Sequence, residues 1–312
     1  MNLRFVATRF GRAVLTMLLV VGFIFVILRV AGDPAQVMAG DDAPPEMIER
    51  YRAALGLDRS LPEQFIRYAA ALATGDLGRS FKDNRAALEV VIERLPITLY
   101  LGFVALAISL GIGIPLGIFA ALKRGTAIDR FAMTFAVLGY SLPNFFLGVL
   151  LILLFSLHLR WLPSSGSETV WHLIMPAVTL GTAHAGGIAR FTRSAMLEVL
   201  NRNFMRTAKA KGVPRQRRLY RHAFPNAAIP VVTHLGFRLG HLVAGAIIVE
   251  TVFAWPGVGR LMISAVAARD LAVVQALVLM TAFAMICANL AVDLAYGWID
   301  PRIRVSGERR EA

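Results

Sequence analysis

Cysteine is almost absent. The 312 residues contain one, Cys287, inside an apolar run, so no intrachain disulfide framework can form and the thiol is expected to be inert packing, with the redox environment left open. Also missing is any G-x-x-x-x-G-K-[ST] segment, the loop whose backbone N–H groups cradle nucleotide phosphates. There is no H-E-x-x-H segment and no Cys/His cluster with ligand spacing, so no metal site is expected. The six histidines are dispersed, and no Ser or Cys nucleophile stands near a His and an acid in a recognisable arrangement. Enzymatic activity in this chain alone is not expected.

Charge is scarce as well. Charged residues make up 17% and hydrophobic residues 57%, with a mean hydropathy of +0.62, which is too apolar for an ordinary soluble domain. The composition is that of a polytopic membrane protein. The net charge of +13 would suit nucleic acid, but no base-reading motif or aromatic-interleaved basic patch is present and the charge falls between apolar runs. Nucleic acid is therefore excluded as the expected partner, and topology accounts for the charge.

Six runs are long enough for helices that need about 20 apolar residues each to cross a bilayer. They lie at 11–30, 97–122, 131–156, 171–189, 230–253 and 272–297, and predict an all-α fold of six transmembrane helices in one integral domain, 1–312. Arg4, Arg9 and Arg12 precede the first run in the manner of a signal peptide, but no A-x-A cleavage site follows, so the run is read as a retained helix. Lys and Arg are in excess in the N-terminal tail, at 123–130, at 190–229 and in the C-terminal tail, all on one side of a six-span arrangement. That side is expected to be the cytoplasm, with both termini inside. The opposite segment, 31–95, holds eight basic and eleven acidic residues and is the only sizeable soluble-looking piece. Within it, 45–56 reads as a helix opened by proline and closed by glycine, and 60–72 as a second with Ser60 as N-cap. Such amphipathic pieces lie on the membrane surface or dock a partner outside it.

Between Val199 and Val249 there is no Asp or Glu, whereas 204–232 carries seven Lys or Arg. A positive-inside anchor explains the charge and not the order within the loop. Residues 201–211 read as helix, Gly212 as a left-handed stop, Pro214 as a bar to continuation, and a further helical stretch runs from about Arg215 toward Pro225 and Pro230. A short helix with a fixed end is a rigid element.

The segment R-T-A-K-A-K-G at 206–212, followed after nine residues by His222-Ala223-Phe224-Pro225, resembles the cytoplasmic EAA motif of ATP-binding-cassette (ABC) importer permeases. Arg206 in the acidic position and the R-H-A-F-P-N-A ending are similar to the dipeptide, oligopeptide and nickel branch. Gly32-Asp33-Pro34, L-G-L-D at 55–58, G-D-L-G-R-S-F at 75–81, E-R-L-P-I-T-L at 93–99, S-L-P-N-F-F at 141–146, W-L-P-S-S-G at 161–166, E-T-V-F-A-W-P-G-V-G at 250–259 and D-P-R-I-R at 300–304 look like the same family in the same order. The long outer segment is similar to the first of the two permease types that such importers pair.

The resemblance implies a type I importer permease fold in a bacterial-type inner membrane, with a second, non-identical permease, two cytoplasmic ATPase subunits and an extracytoplasmic solute-binding protein as partners. ATP and Mg would be held by the ATPase subunits, leaving no cofactor in this chain. It further implies that the 191–229 loop couples to an ATPase. Arg206, Thr207, Ala208 and Gly212 match the motif and Pro225 its ending. Small Ala208 and Ala210 would permit close approach, Val213 follows the stop, and Lys209 and Lys211 either pair with acids on the partner or stay solvated.

The path is less legible. His234, Arg238 and His241 share one face of the fifth run; an intramembrane Arg costs about 2.5–3.5 kcal/mol and so faces protein or water. Arg238 sits about eight residues, roughly 12 Å, inside the cytoplasmic end, far for snorkelling. Either this face makes a buried polar contact, or it lines a route for a solute with an anionic group. Asn144 and His184 are further pathway candidates, with a helix-to-helix hydrogen bond as their other reading. Glu250 belongs to a gate or to an interface. A secondary, ion-coupled transporter is the alternative reading, and a membrane scaffold a third; the first leaves the basic loop without a purpose.

Overall fold

The structure, a computed structural model, describes residues 3–30, 34–40, 43–54, 56–239 and 246–299. Among these it is helical, with one isolated bridge between Arg79 and Ala86. In chain order the helices are α1 (Leu3–Val30), α2 (Pro34–Ala39), α3 (Pro45–Ala54), α4 (Leu61–Ala73), α5 (Ala87–Leu122), α6 (Ala127–Ser141), α7 (Asn144–Leu151), α8 (Val170–Leu200), α9 (Asn203–Ala210), α10 (Arg215–Arg218), α11 (Phe224–Leu239), α12 (Ile247–Val252), α13 (Val258–Ala267) and α14 (Leu271–Ile299). Turns of π-helix occupy Ile152–His158 and Leu219–Ala223. Contacts divide the chain into two compact units, Met1–Pro96 with Gly257–Ala312, and Ile97–Pro256.

Three helical stretches, Val6–Val30, Ala87–Leu122 and Leu271–Ala291, are long and apolar enough to cross a membrane, and the α6–α7 pair is a fourth if its bend is one span. The expected continuous helix at 131–156 is thus corrected to two helices whose axes turn by 97°. The cause is local: Pro143 has no N–H to continue the ladder and holds Leu142 in an extended conformation, φ −72° and ψ 124°. Over the expected fourth span α8 is helical, but glycine, threonine and histidine dilute its apolar run. Its buried residues, from Leu173 to Val199, show why: a helix enclosed by protein has no need to be lipophilic all round. The expected fifth span is helical in α11 and α12, with 240–245 outside the described residues. Cys287, expected to be packed, is exposed on α14.

In the first unit, Val21, Ile24, Leu28 and Leu279 form a core against which Phe65, Tyr68 and Leu72 of α4 pack. The spacing of three and four puts those side chains on one helix face. The amphipathic helix, read as lying on the membrane surface or docking a partner, turns this apolar face onto the protein itself. Ser60 does precede it, but its side chain makes no cap hydrogen bond. Phe25 meets the Phe65 ring edge-on at 5.2 Å and carries the Arg29 guanidinium 3.9 Å above its face. Arg29 also donates to Gln64 Oε1 at 3.1 and 3.3 Å. Burial pushes the Tyr68 phenol up to about 12, with the Arg29 charge opposing the rise.

The G-D-L-G-R-S-F segment is explained by Asp270, which is buried before α14. Its Oδ2 accepts from Ser80 Oγ at 2.5 Å and its Oδ1 from the Val273 N–H at 3.2 Å, so one carboxylate caps a helix and pins a loop distant in sequence. Asp270→Ala removes the cap and leaves the Ser80 hydroxyl buried without its acceptor. The expected cost is about 1–3 kcal/mol, read as a lower thermal midpoint in detergent. An unchanged midpoint would show the anchor to be dispensable.

In the second unit, α5, α6 and α8 approach through small residues. A Cβ on Gly117 would lie 2.4 Å from the Ala189 carbonyl oxygen, and one on Gly186 2.1 Å from that of Ala136. Ser109 Oγ bridges the contact, donating to Ala105 O and Gly181 O, each at 2.8 Å. Backbone-to-backbone approach of this kind is how helices associate where lipid offers no hydrophobic drive.

Candidate functional site

The basic loop begins where α8 ends. Arg202 pairs with Glu198 across the last turn of α8, and α9 then runs from Asn203 to Ala210, two residues later and one earlier than the sequence predicts. Its end is closed twice: the Gly212 N–H donates to Lys209 O and the Val213 N–H to Ala208 O, both at 3.1 Å. This is a Schellman closure, and it requires the left-handed residue found at Gly212, φ +72°. Pro214 then caps α10, as its missing N–H and fixed φ allow. Pro225, which also has no N–H to give, is the second residue of α11, one residue past the π-helical turn Leu219–Ala223.

One side chain anchors α9. Met205 is buried in a cluster with Ala121 of α5, Ala195, Met196 and Val199 of α8, and Ala223, Ala227 and Val231, while Leu219 packs on its edge. Around this anchor the surface is open: Arg206, Thr207, Lys209, Ala210, Lys211 and Gly212 are exposed, with Ala208 and Val213 half-buried. Thr207 Oγ1 turns back to Asn203 O at 3.2 Å. Phe204 and Tyr220 add aromatic surface, Tyr220 being 78% exposed. Of the motif residues, Arg206, Thr207, Ala208, Lys209 and Ala210 share one cationic helix that Met205 fixes to the core, Lys211, Gly212 and Val213 close it, and Pro225 lies apart on α11. Sequence reasoning missed Met205 and Leu219, although an apolar residue in an otherwise polar helix is a signal for an anchor.

A second polar feature underlies this end of the unit. Asp129, buried at the start of α6, accepts from Arg193 Nε at 2.7 Å and Nη2 at 2.8 Å, and from the Gly125 N–H at 3.0 Å. The bidentate fork fixes the 123–126 turn to α8. The sequence reading counted this turn only for its positive charge.

The pathway candidates fare unevenly. Asn144 opens α7 and is half-buried. His184 Nδ1 donates to Leu180 O, 2.7 Å away on its own helix. The side chains of His234 and Arg238 on α11, and the whole of His241, lie outside the described residues, as do Gly32, Asp33 and 300–304. Glu250 is fully buried and accepts from Thr98 Oγ1 at 2.6 Å, which places it in the contact between α5 and α12. Nearby Trp255 is buried, its Nε1 donating to Ile97 O at 3.2 Å.

This helical scaffold, with spanning helices and an exposed cationic helix closed by glycine, is that of a membrane transport component. The chain belongs to the family described as "Binding-protein-dependent transport system inner membrane component", which it matches over residues 113–305. Residues 2–102 match the corresponding N-terminal region, "Binding-prot-dependent transport system membrane comp, N-term". It is similar to the glutathione transport system permease protein GsiC of Pectobacterium atrosepticum, 43% identical over 93% of this chain and 94% of that one. The dipeptide transport system permease protein DppB of Escherichia coli K12 is 39% identical over 97% and 99%. In fold it is similar to a chain of the MetNI methionine ABC transporter in inward-facing conformations, with a TM-score of 0.51, 20% identity, and coverage of 65% of this chain and 94% of that one. The chain is thus a multi-pass inner-membrane permease of ABC importers and works within a transporter complex. The ion-coupled alternative falls outside this family.

Proposed function

We propose that this permease forms half of a path for peptides or glutathione-like solutes and that α9 is the element through which ATP-driven motion reaches it. The solute class follows the glutathione and dipeptide permeases it resembles. Both termini and the α9–α10 loop lie in the cytoplasm, and 31–95 faces outward to a solute-binding protein. A second, non-identical permease completes the path. ATP and Mg belong to two ATPase subunits, one of which receives the exposed face of α9 with Phe204 and Tyr220 as apolar contacts. Of the basic residues, Lys211 meets acids on its rim. The observation that carries this reading is the doubly closed end of α9 together with its Met205 anchor: a push on the open face moves α5, α8 and α11 together.

Gly212→Val tests it. Valine at φ +72° is strained whatever space surrounds it, so the Schellman end opens while Met205 stays seated. The chain should still reach the membrane and assemble, ATP hydrolysis by the complex should persist, and vanadate-sensitive solute uptake should fall at least about tenfold, a loss of roughly 1.4 kcal/mol in coupling. Uptake equal to that of the unsubstituted complex would remove α9 from the mechanism.

A further inference from the structure

Behind α9 lies a cavity of about 260 Å³ lined by Arg206, Lys209, Arg215 and Arg218 and by the apolar side chains of Ala121, Leu122, Leu200, Met205 and Leu219. No acid is among the lining residues, and none occurs in the chain from Val199 to Val249. Four like charges around one small space repel each other, and the apolar wall lowers the dielectric that would otherwise screen them. Arg218 adds a sharper demand. Its Nε is shielded from solvent and has no hydrogen-bond partner among the described residues. Buried donors are satisfied in native proteins, so Arg218 calls for an acceptor that the described residues do not supply.

The form of the cavity says which acceptor. Guanidinium groups recognise phosphate through forked hydrogen bonds, and one tetrahedral anion can accept from several donors at once. The wall, however, is hydrocarbon, and two of its residues, Ala121 and Leu122, are the last of the apolar helix α5. A free anion would leave that wall unused, whereas an amphiphile uses both parts. Basic pockets at the ends of spanning helices on the cytoplasmic side bind anionic lipid headgroups for this reason. We propose that this cavity binds the phosphate of an anionic phospholipid, its acyl chains following the end of α5, so that Arg206, Lys209, Arg215 and Arg218 share one phosphodiester. The lipid then neutralises the Arg206 and Lys209 side of α9, which carries Met205, and leaves Thr207, Ala210 and Lys211 for a protein partner. The inference rests on the proposed orientation only for the leaflet that supplies the lipid.

The test uses the full-length chain in a non-ionic detergent, titrated separately with phosphatidylglycerol, phosphatidylcholine and inorganic phosphate. Binding is read by native mass spectrometry and by thermal shift. Phosphatidylglycerol should bind at least about tenfold more tightly than phosphatidylcholine, and inorganic phosphate should compete with it only weakly. Arg215→Gln with Arg218→Gln should reduce phosphatidylglycerol binding about thirtyfold, the strength of two basic contacts with an anionic headgroup. Arg218→Lys keeps the charge and removes the buried Nε–H, so an intermediate loss is expected from a chain less prone to misfold. Equal binding of the two lipids, or glutamine variants that bind like the unsubstituted chain, would overturn the proposal. Inorganic phosphate binding as tightly as phosphatidylglycerol would overturn the lipid as occupant. Loss of uptake in Gly212→Val with lipid binding intact, or the reverse, separates this site from the coupling role of α9.

Discussion

Gly186→Leu is expected to abolish accumulation of the folded permease. The first atom of the new side chain would stand 2.1 Å from the Ala136 carbonyl oxygen and 3.0 Å from its carbon, both of them backbone. No rotamer relieves that clash, so α6 and α8 must separate. The cost exceeds the about 1–3 kcal/mol of ordinary overpacking, because the obstructing atoms belong to a helix ladder and not to a side chain. Gly139→Ala is the control on the facing helix: its Cβ would lie 3.4 Å from Thr182 O, a contact that a small shift accommodates. Chain extracted in mild detergent and passed over a sizing column should give a monodisperse peak for Gly139→Ala and aggregate or nothing for Gly186→Leu. Equal yields and equal thermal midpoints would show that the α6–α8 approach is not a constraint.

The second large effect lies at the Asp129–Arg193 fork. Arg193→Ala strands a carboxylate whose side chain is 7% exposed, and breaking a buried pair from one side costs about 3–5 kcal/mol. Arg193 itself is a quarter exposed, which places the expected loss near the lower end of that range. Asp129→Ala together with Arg193→Ala should be less damaging than Arg193→Ala alone, because no buried charge remains. Thermal denaturation of the two single variants and the double variant gives the coupling directly. Additive losses would mean that the fork stabilises nothing beyond its separate groups.

These contacts mark the boundary of what was legible in the sequence. The all-α membrane class, the first, second and last spans and the glycine stop at 212 follow from apolar run length and backbone restrictions that act within a few residues. Pro143 was equally visible, yet run length outvoted it, and the reading joined α6 to α7 across a right-angle turn. The anchors were harder to see because their partners are remote: Asp129 with Arg193, Ser80 with Asp270, and Thr98 with Glu250 lie 64, 190 and 152 positions apart. In the coupling element, motif residues were readable and the side that holds them was not. Charge drew attention to Arg206, Lys209 and Lys211, while Met205, which fixes the helix in place, looked like any methionine.

The dilution of α8 by small and polar residues has a bearing on how the chain is made. A segment this rich in glycine, threonine and histidine gains little from hydrocarbon alone and would be poorly retained by a bilayer as it leaves the translocation machinery. Its docking surfaces on α5 and α6 are encoded earlier in the chain, so synthesis from the N-terminus supplies them beforehand. Vectorial translation thereby gives a weakly lipophilic rod a prepared seat, and reversing that order in a permuted gene would leave it stranded.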